Sequence, residues 1–240
     1  MGSESSGPPA PRLAGIRTRW LAAVTAALGA DPGVAGLGLA GSLGAGRADD
    51  WSDVDLILVV DDARLGEYAR PGRLPAGPGT LIIAFDSRHN GLRGTRVVSA
   101  QYLIDGLPLW ADWYIYPLSL AAWPADSTPV FDRTGITRLT ATFTEHLAAE
   151  HEPPVPRSPA ERRALQLALV PIAGKLIARR SPKTVRMIEI LGGSSAPDAT
   201  WTDHLATLRQ RLYDLTPAGP PPSAAAARAY LILVEAAFPT

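Results

Sequence analysis

Apolar residues along this chain follow two spacings, three-to-four residues and two residues. Leu13, Ile16, Trp20, Leu21, Val24 and Leu28 recur at the longer spacing and predict a helix over 12–30, which the turn residues of "GADPG" (29–33) stop. "VAGLGLA" (34–40) predicts a short strand, and small residues then form a turn or short helix from Gly41 to Asp50. "DVDLILVV" (53–60) is apolar on both faces beyond Asp55, the pattern of a central strand. Asp61 and Asp62 suit the cap of a helix reaching Ala69, and "RPGRLPAGPG" (70–79) reads as loop. Strands are predicted over 80–86 and 95–104. "PLWADWYIYP" (108–117) alternates: Leu109, Ala111, Trp113 and Ile115 face one way, Trp110, Asp112, Tyr114 and Tyr116 the other.

Beyond Gly135 the longer spacing returns. Ile136, Leu139, Phe143 and Leu147 make one stripe; Leu165, Leu169, Ile172 and Leu176 make another; shorter helices follow over 183–191, 201–214 and 223–237. Between the two stripes "HEPPVPRSP" (151–159) is stiff and proline-rich. The chain therefore divides into a tail expected to be disordered (1–11), a sheet-bearing domain (12–150), a linker (151–159) and a helical domain (160–240).

Composition narrows the function. With 23 basic and 23 acidic residues in 240 the net charge is zero, so no bulk field favours nucleic acid or an anionic membrane. The absence of cysteine excludes disulfides and thiolate metal sites. No apolar run approaches the length of a membrane span, and "MGSESSGPPAPR" lacks the basic-then-apolar pattern of a signal peptide, so a cytoplasmic enzyme or binding protein is expected.

Two motifs compete around residue 40. "GLGLAG" (36–41) satisfies the dinucleotide fingerprint G-x-G-x-x-G, but that motif needs a full strand before its first glycine, and only Val34 and Ala35 separate Gly36 from the Asp-Pro-Gly turn. The second motif is Gly41-Ser42 followed eleven residues later by Asp53, with Asp55 two further on. Residues i and i+2 of a strand share a face, so the two carboxylates project together, a hard-oxygen pair suited to Mg²⁺. Asp112 has the parity to add a third carboxylate from a neighbouring strand and so to hold two ions, with Asp86 as an alternative. Gly41 permits close backbone approach to a phosphate, and the Ser42 hydroxyl can bond it. The structural alternative for Asp53 and Asp55 is a solvated strand entrance after a turn.

An apolar strand, Gly-Ser, a spacer of about ten residues and Asp-x-Asp leading a strand resemble the signature of the DNA polymerase β-like nucleotidyltransferase superfamily; here it reads "GLAGS…WSDVDLILVV". "SDVDL" and Arg47 resemble its small-molecule members, such as aminoglycoside and lincosamide adenylyltransferases, "LWADWYIYP" resembles the strand bearing the third carboxylate, and "PVFDRTG" (129–135) resembles the end of the catalytic domain. The resemblance implies an α+β fold, a nucleotidyltransferase domain with a mixed sheet flanked by helices, then an all-helical domain. It implies transfer of a nucleoside monophosphate (AMP from ATP, or from another NTP) to a hydroxyl of a small molecule, an antibiotic among the candidates, with two Mg²⁺ held by Asp53, Asp55 and Asp112. Gly41, Ser42 and Arg47 would contact the nucleotide.

Lys175 and Arg179 share one helix face and resemble the cations with which such proteins clamp nucleotide phosphates; a solvated face is the alternative. Glu145 is either a general base or an exposed polar residue, and His89, His146, His151 and His204 read as surface residues. Trp110, Tyr114 and Tyr116 either stack a base or sugar or fill half-buried strand positions. The other functional class compatible with these residues is an antitoxin-like or regulatory protein of the same fold that acts through a protein partner.

Overall fold

The computed structural model describes residues 8, 10–148, 153–216 and 221–238. It is an α+β structure in which helix α1 (Pro11–Gly29) precedes a mixed six-stranded sheet. The strands are β1 (Val34–Leu39), β2 (Val54–Val60), β3 (Thr80–Asp86), β4 (Arg96–Ile104), β5 (Leu107–Pro117) and β6 (Thr128–Asp132), in the order β3-β4-β5-β2-β1-β6. Only β2 and β5 pair in parallel; the other neighbours are antiparallel. Short helices α2 (Gly41–Gly44), α3 (Leu65–Tyr68) and α4 (Phe143–Leu147) interrupt the sheet region. Helices α5 (Pro159–Ala178), α6 (Thr184–Ile190), α7 (Trp201–Leu215) and α8 (Pro222–Ala236) follow it.

The alternation in β5 sorts its side chains as expected. Leu109, Ala111, Trp113 and Ile115 join Leu56, Leu58, Tyr102 and Trp20 of α1 in the larger buried cluster, whereas Tyr114 and Tyr116 join Ile57, Val59, Trp123 and Phe143 on the opposite face. Trp20 anchors the larger cluster, its ring lying 5.0 Å from Tyr102 and 5.7 Å from Trp113. The proline-rich stretch interrupts the chain but not this core. Val170 and Ile177 of α5, Leu208 of α7 and Leu231 of α8 are buried in the same cluster as Trp20 and Trp113.

Several expectations are corrected. Pro11 opens α1 instead of closing a tail, and Pro8 and Ala10 before it are hydrogen-bonded to the fold: Trp51 Nε1 donates to the Pro8 carbonyl at 2.6 Å and Ala10 N donates to Asp50 Oδ2 at 2.7 Å. Residues 1–7 and 9 of the expected tail, and residues 151–152 of the linker with His151, lie outside the described residues. The helix expected over 61–69 is a 3₁₀ turn at Asp62–Arg64 running into α3; neither Asp61 nor Asp62 caps it with its side chain, and Asp62 Oδ1 instead accepts from Ser119 N at 2.9 Å. Strand β6, which the apolar pattern does not signal, lies at the sheet edge beside β1, where Pro129 costs no ladder hydrogen bond on the open side.

The stripe from Ile136 to Leu147 is not one helix. Asp132 accepts hydrogen bonds from Thr134 N, Gly135 N and Ile136 N, and this turn starts an extended segment bonded to Trp123. Helix forms only from Phe143, where Thr142 and Glu145 make a reciprocal capping box. In α5 the deeply buried face is Leu167, Val170, Ala173 and Ile177, one step round from the expected stripe; Leu165, Leu169 and Ile172 lie on its half-buried flank.

Asp31, in the turn between α1 and β1, fastens the edge of this layer. It accepts from Tyr68 Oη at 2.6 Å, Arg73 Nη2 at 2.5 Å, Gly33 N at 3.0 Å and Arg64 Nη1 at 3.3 Å. Desolvation pushes its pKa up, but the bonds from Tyr68, Gly33, Arg73 and Arg64 outweigh it and hold the carboxyl well below the usual range. A depressed pKa contributes stability that is complete above the unfolded value near 3.8 and declines as pH falls toward the folded one. Asp31→Asn is therefore expected to lower the Tm at pH 7 by about 4 °C, for a loss of about 1–2 kcal/mol. Thermal melts from pH 7 to pH 3 should show the gap to wild type constant down to about pH 5 and narrowing below the ordinary carboxylate value.

Candidate functional site

Beyond Leu39 the strand β1 ends, and Ala40 N still donates to the Asp55 carbonyl at 2.9 Å. Gly41 then turns with φ +57°, and a Cβ placed on it would stand 2.1 Å from Asp55 Oδ2. Both the left-handed backbone and the contact require glycine. The two halves of the sequence motif, eleven residues and more apart in the chain, touch through this glycine.

Asp55 and Asp112 face each other as register partners in the parallel pair β2–β5, and Asp53 immediately precedes β2. Asp112 is oriented by its neighbours. Ser99, its partner across β4, hydrogen-bonds Oδ1, and Trp110 Nε1 donates to Oδ2 at 3.0 Å. Asp53 Oδ2 accepts from Lys175 Nζ at 2.6 Å. No described residue hydrogen-bonds the Asp55 carboxylate.

These contacts divide the three carboxylates electrostatically. Desolvation raises the pKa of Asp53, but the charge and hydrogen bond of Lys175, with the more distant Arg179, outweigh it and hold the group below its ordinary value. Asp55 is pushed well above its ordinary value, first by desolvation and then by the Asp53 and Asp112 charges. Asp112 is pushed up to about 6 by desolvation, against the Ser99 hydrogen bond, with the Asp53 charge adding to the rise. Burial and mutual repulsion thus favour the protonated form at Asp55 and Asp112, while Lys175 holds Asp53 as the ionised member of the three.

Helix α5 forms the opposite wall. Arg179 grips Asp49 with two nitrogens, Nε to Oδ2 at 2.8 Å and Nη2 to Oδ1, and donates from Nη2 to Ser52 Oγ at 2.9 Å. The buried Arg17 donates to the carbonyls of Asp49 at 3.0 Å, Asp50 at 3.3 Å and Ser52 at 2.8 Å. Two planar guanidinium groups therefore fix the loop that presents Asp53. Between the walls lies a cleft of about 440 Å³. Ser42, Asp53 and Asp55 line its sheet side; Lys175, Arg179, Lys183 and Arg186 line its helical side with Ile172, Leu176, Met187 and Ile190.

The expected site residues are only partly assembled. Gly41, Ser42, Asp53, Asp55, Asp112, Lys175 and Arg179 meet around this cleft. The solvated-face reading of Lys175 and Arg179 fails, since both side chains are largely buried in ion pairs. Arg47 is exposed, does not line the cleft, and joins the motif only through its backbone N–H to the Ser42 carbonyl at 2.8 Å. Asp86 is paired with Arg88 and does not line the cleft. Glu145 spends its carboxylate on the capping box. Tyr114 packs edge-on against Phe143 at 4.9 Å and Tyr116 stacks on His146 at 6.0 Å, so both serve the core, whereas Trp110 reaches the site through Asp112. The surface reading fails for His204, which is buried with Nδ1 2.7 Å from Ser195 Oγ, and holds only in part for the half-buried His89 and His146.

Sequence reasoning missed Asp49, Ser52, Ser99, Lys183 and Arg186. "ADDWSD" already crowds three acids before β2, and that density was the available signal for the arginine grip. The pairing of Ser99 with Asp112 depends on β4–β5 register and leaves no local trace.

The donor set suits Mg²⁺: three carboxylates and no nitrogen or sulfur ligand, with Asp55 and Asp112 paired on neighbouring strands. Among the described residues, however, no three acidic or histidine side chains stand as a ready ligand cluster, and Asp53 is engaged by Lys175. Compared with protein-family models and with curated proteins, the chain matches none.

Proposed function

We propose that this protein is a magnesium-dependent nucleotidyltransferase of the DNA polymerase β-like superfamily, transferring a nucleoside monophosphate from an NTP to a hydroxyl of a small molecule. The observation that carries the reading is the contact of the Gly41 turn with Asp55, which itself faces Asp112 across the parallel strand pair. That arrangement brings the cleft beside Ser42 onto paired carboxylates. In this reading Asp53, Asp55 and Asp112 would hold Mg²⁺, which when bound supplies positive charge for the triphosphate and for the attacking oxygen. Ser42 hydrogen-bonds phosphate oxygens from the sheet side, and Lys175 and Arg179 face them from α5. Asp112, held by Ser99 and Trp110, stands on the acceptor side. The acceptor hydroxyl loses its proton to solvent as its oxygen bonds to the α-phosphorus and the bond to pyrophosphate breaks, and the protein's share of catalysis is positioning and charge stabilisation.

The test is calorimetric binding of each NTP with and without Mg²⁺, joined to pyrophosphate release over a panel of hydroxyl compounds. Mg²⁺-dependent NTP binding is expected. A protein that binds no nucleotide under any metal condition and co-purifies with a protein partner would fit the regulatory reading instead. Lys175→Ala is expected to weaken NTP binding about ten- to hundredfold, the loss of one charge-assisted hydrogen bond to phosphate. Arg179→Ala should cost less affinity, because Arg179 is already committed to Asp49. Unchanged affinity in Lys175→Ala would remove that residue from the nucleotide site.

A further inference from the structure

The Lys175–Asp53 contact sits where the proposed function requires a metal ligand. Lys175 Nζ is 2.6 Å from Asp53 Oδ2, and its side chain is only 10 % exposed, so the ammonium is a fixed internal counter-ion and not a passing surface pair. The same lysine lines the cleft beside Ser42 and Asp55. A divalent cation shared by Asp53 and Asp55 would have to displace this ammonium or share its oxygen at close range, and like charges in so buried a setting repel strongly. Once displaced, Lys175 would be a buried cation in need of an anion. A free triphosphate meets the converse obstacle, since beside Ser42 it would meet carboxylate oxygens and not hydrogen-bond donors at Asp55 and its register partner Asp112.

We propose that Lys175 exchanges partners when nucleotide binds: it holds Asp53 in the ligand-free protein, and a divalent metal–triphosphate complex releases it by supplying at once the metal for Asp53 and the phosphate anion for Lys175. This rests on the nucleotidyltransferase reading and goes beyond it by naming the lysine exchange. Lys175 is then a positioning residue that couples the two ligands. Metal and triphosphate each favour the state in which Lys175 has left Asp53, and each raises the affinity for the other. The exchange moves one ammonium between two anions and needs no change of covalent structure.

The experiment titrates Mn²⁺ into the full chain without nucleotide, reading free Mn²⁺ by electron paramagnetic resonance, in wild type, Lys175→Met and Lys175→Arg. In parallel, calorimetry measures a non-hydrolysable ATP analogue with Mg²⁺ and with EDTA. Wild type is expected to bind free Mn²⁺ weakly and the analogue at least about tenfold more tightly with Mg²⁺ than without. Lys175→Met should bind free Mn²⁺ at least about tenfold more tightly than wild type, because the competing ammonium is gone, while Lys175→Arg stays near wild type. Equal Mn²⁺ affinity in wild type and Lys175→Met overturns the exchange. If Lys175→Met does not fold, the wild type decides alone: tight Mn²⁺ binding without nucleotide, or analogue binding indifferent to Mg²⁺, overturns the proposal. A wild type that binds no analogue under either condition overturns the underlying nucleotidyltransferase reading, which keeps the two failures distinct.

Discussion

Asn in place of Asp55 is expected to reduce nucleotidyl transfer by about a thousandfold or more while raising the Tm of the metal-free protein. The first effect follows, on the nucleotidyltransferase reading, from removing a proposed anionic ligand from the centre of the carboxylate group, an electrostatic contribution of several kcal/mol to phosphoryl-type chemistry. The second follows from the environment. Desolvation and the neighbouring Asp53 and Asp112 charges raise the Asp55 pKa. A raised carboxyl pKa contributes stability below the unfolded value that is lost as pH climbs through the folded one, so ionised Asp55 costs stability at neutral pH. A neutral isostere relieves that cost, and a gain of about 1 kcal/mol would raise the Tm by about 2–4 °C. Asp53→Asn should be equally damaging to activity but opposite in stability. It strips Lys175 of its partner at 2.6 Å and leaves a buried ammonium unpaired, so the Tm should fall. Pyrophosphate release and differential scanning calorimetry on both variants in EDTA decide the matter. Full activity in Asp55→Asn would sink the assignment, and Tm shifts of the same sign in the two variants would sink the electrostatic division between them.

That division marks the limit of what the sequence carries. Asp53 and Asp55 are indistinguishable as an Asp-x-Asp pair, and only Lys175, 122 residues away from Asp53, makes one a salt-bridged ion and the other a crowded one. The strands and the long helices were legible because each stores its own signal: the two-residue period of 108–117 separates the faces of β5, and the spacing of Leu13, Ile16, Trp20, Val24 and Leu28 marks the buried side of α1. Where local geometry overrides periodicity, the reading fails. Ile136 and Leu139 sit at helical spacing from Phe143, but Asp132 captures three successive N–H groups and turns the chain into an extended segment first. Edge strand β6 buries only alternate side chains in part and contains a proline, so its pattern is close to that of a loop. Of the cleft, the residues within one motif could be read from spacing, whereas Ser99, Asp49 and Arg186 come from strand register and helix placement. His204 was misread for the same reason: a lone histidine on a helix gives no local clue that Ser195 will meet its Nδ1.

Gly41→Ala is expected to damage stability and activity together through a single contact. Residue 41 has φ +57°, where an L side chain costs about 1–2 kcal/mol, and the added methyl would lie 2.1 Å from Asp55 Oδ2 and 2.9 Å from its Cγ. The carboxylate must move, because the competing atoms belong to strand β2, whose backbone is locked between β1 and β5. A loss of about 2–3 kcal/mol is expected, lowering the Tm by about 4–12 °C, and a displacement of Asp55 by even a fraction of an ångström from Asp112 should cost about a hundredfold in turnover. The double variant Gly41→Ala/Asp55→Ala isolates the cause. Shortening residue 55 removes the two closest atoms and leaves its Cβ at 3.3 Å, so the clash is relieved but the backbone strain remains. Its Tm should therefore exceed the value obtained by adding the two single-variant shifts, with a coupling of at least about 1 kcal/mol. Additive shifts would show that the glycine serves the turn alone. A coupled pair would show that the Gly-Ser turn and the Asp-x-Asp strand form one physical unit, held at van der Waals contact by the lack of a single methyl group.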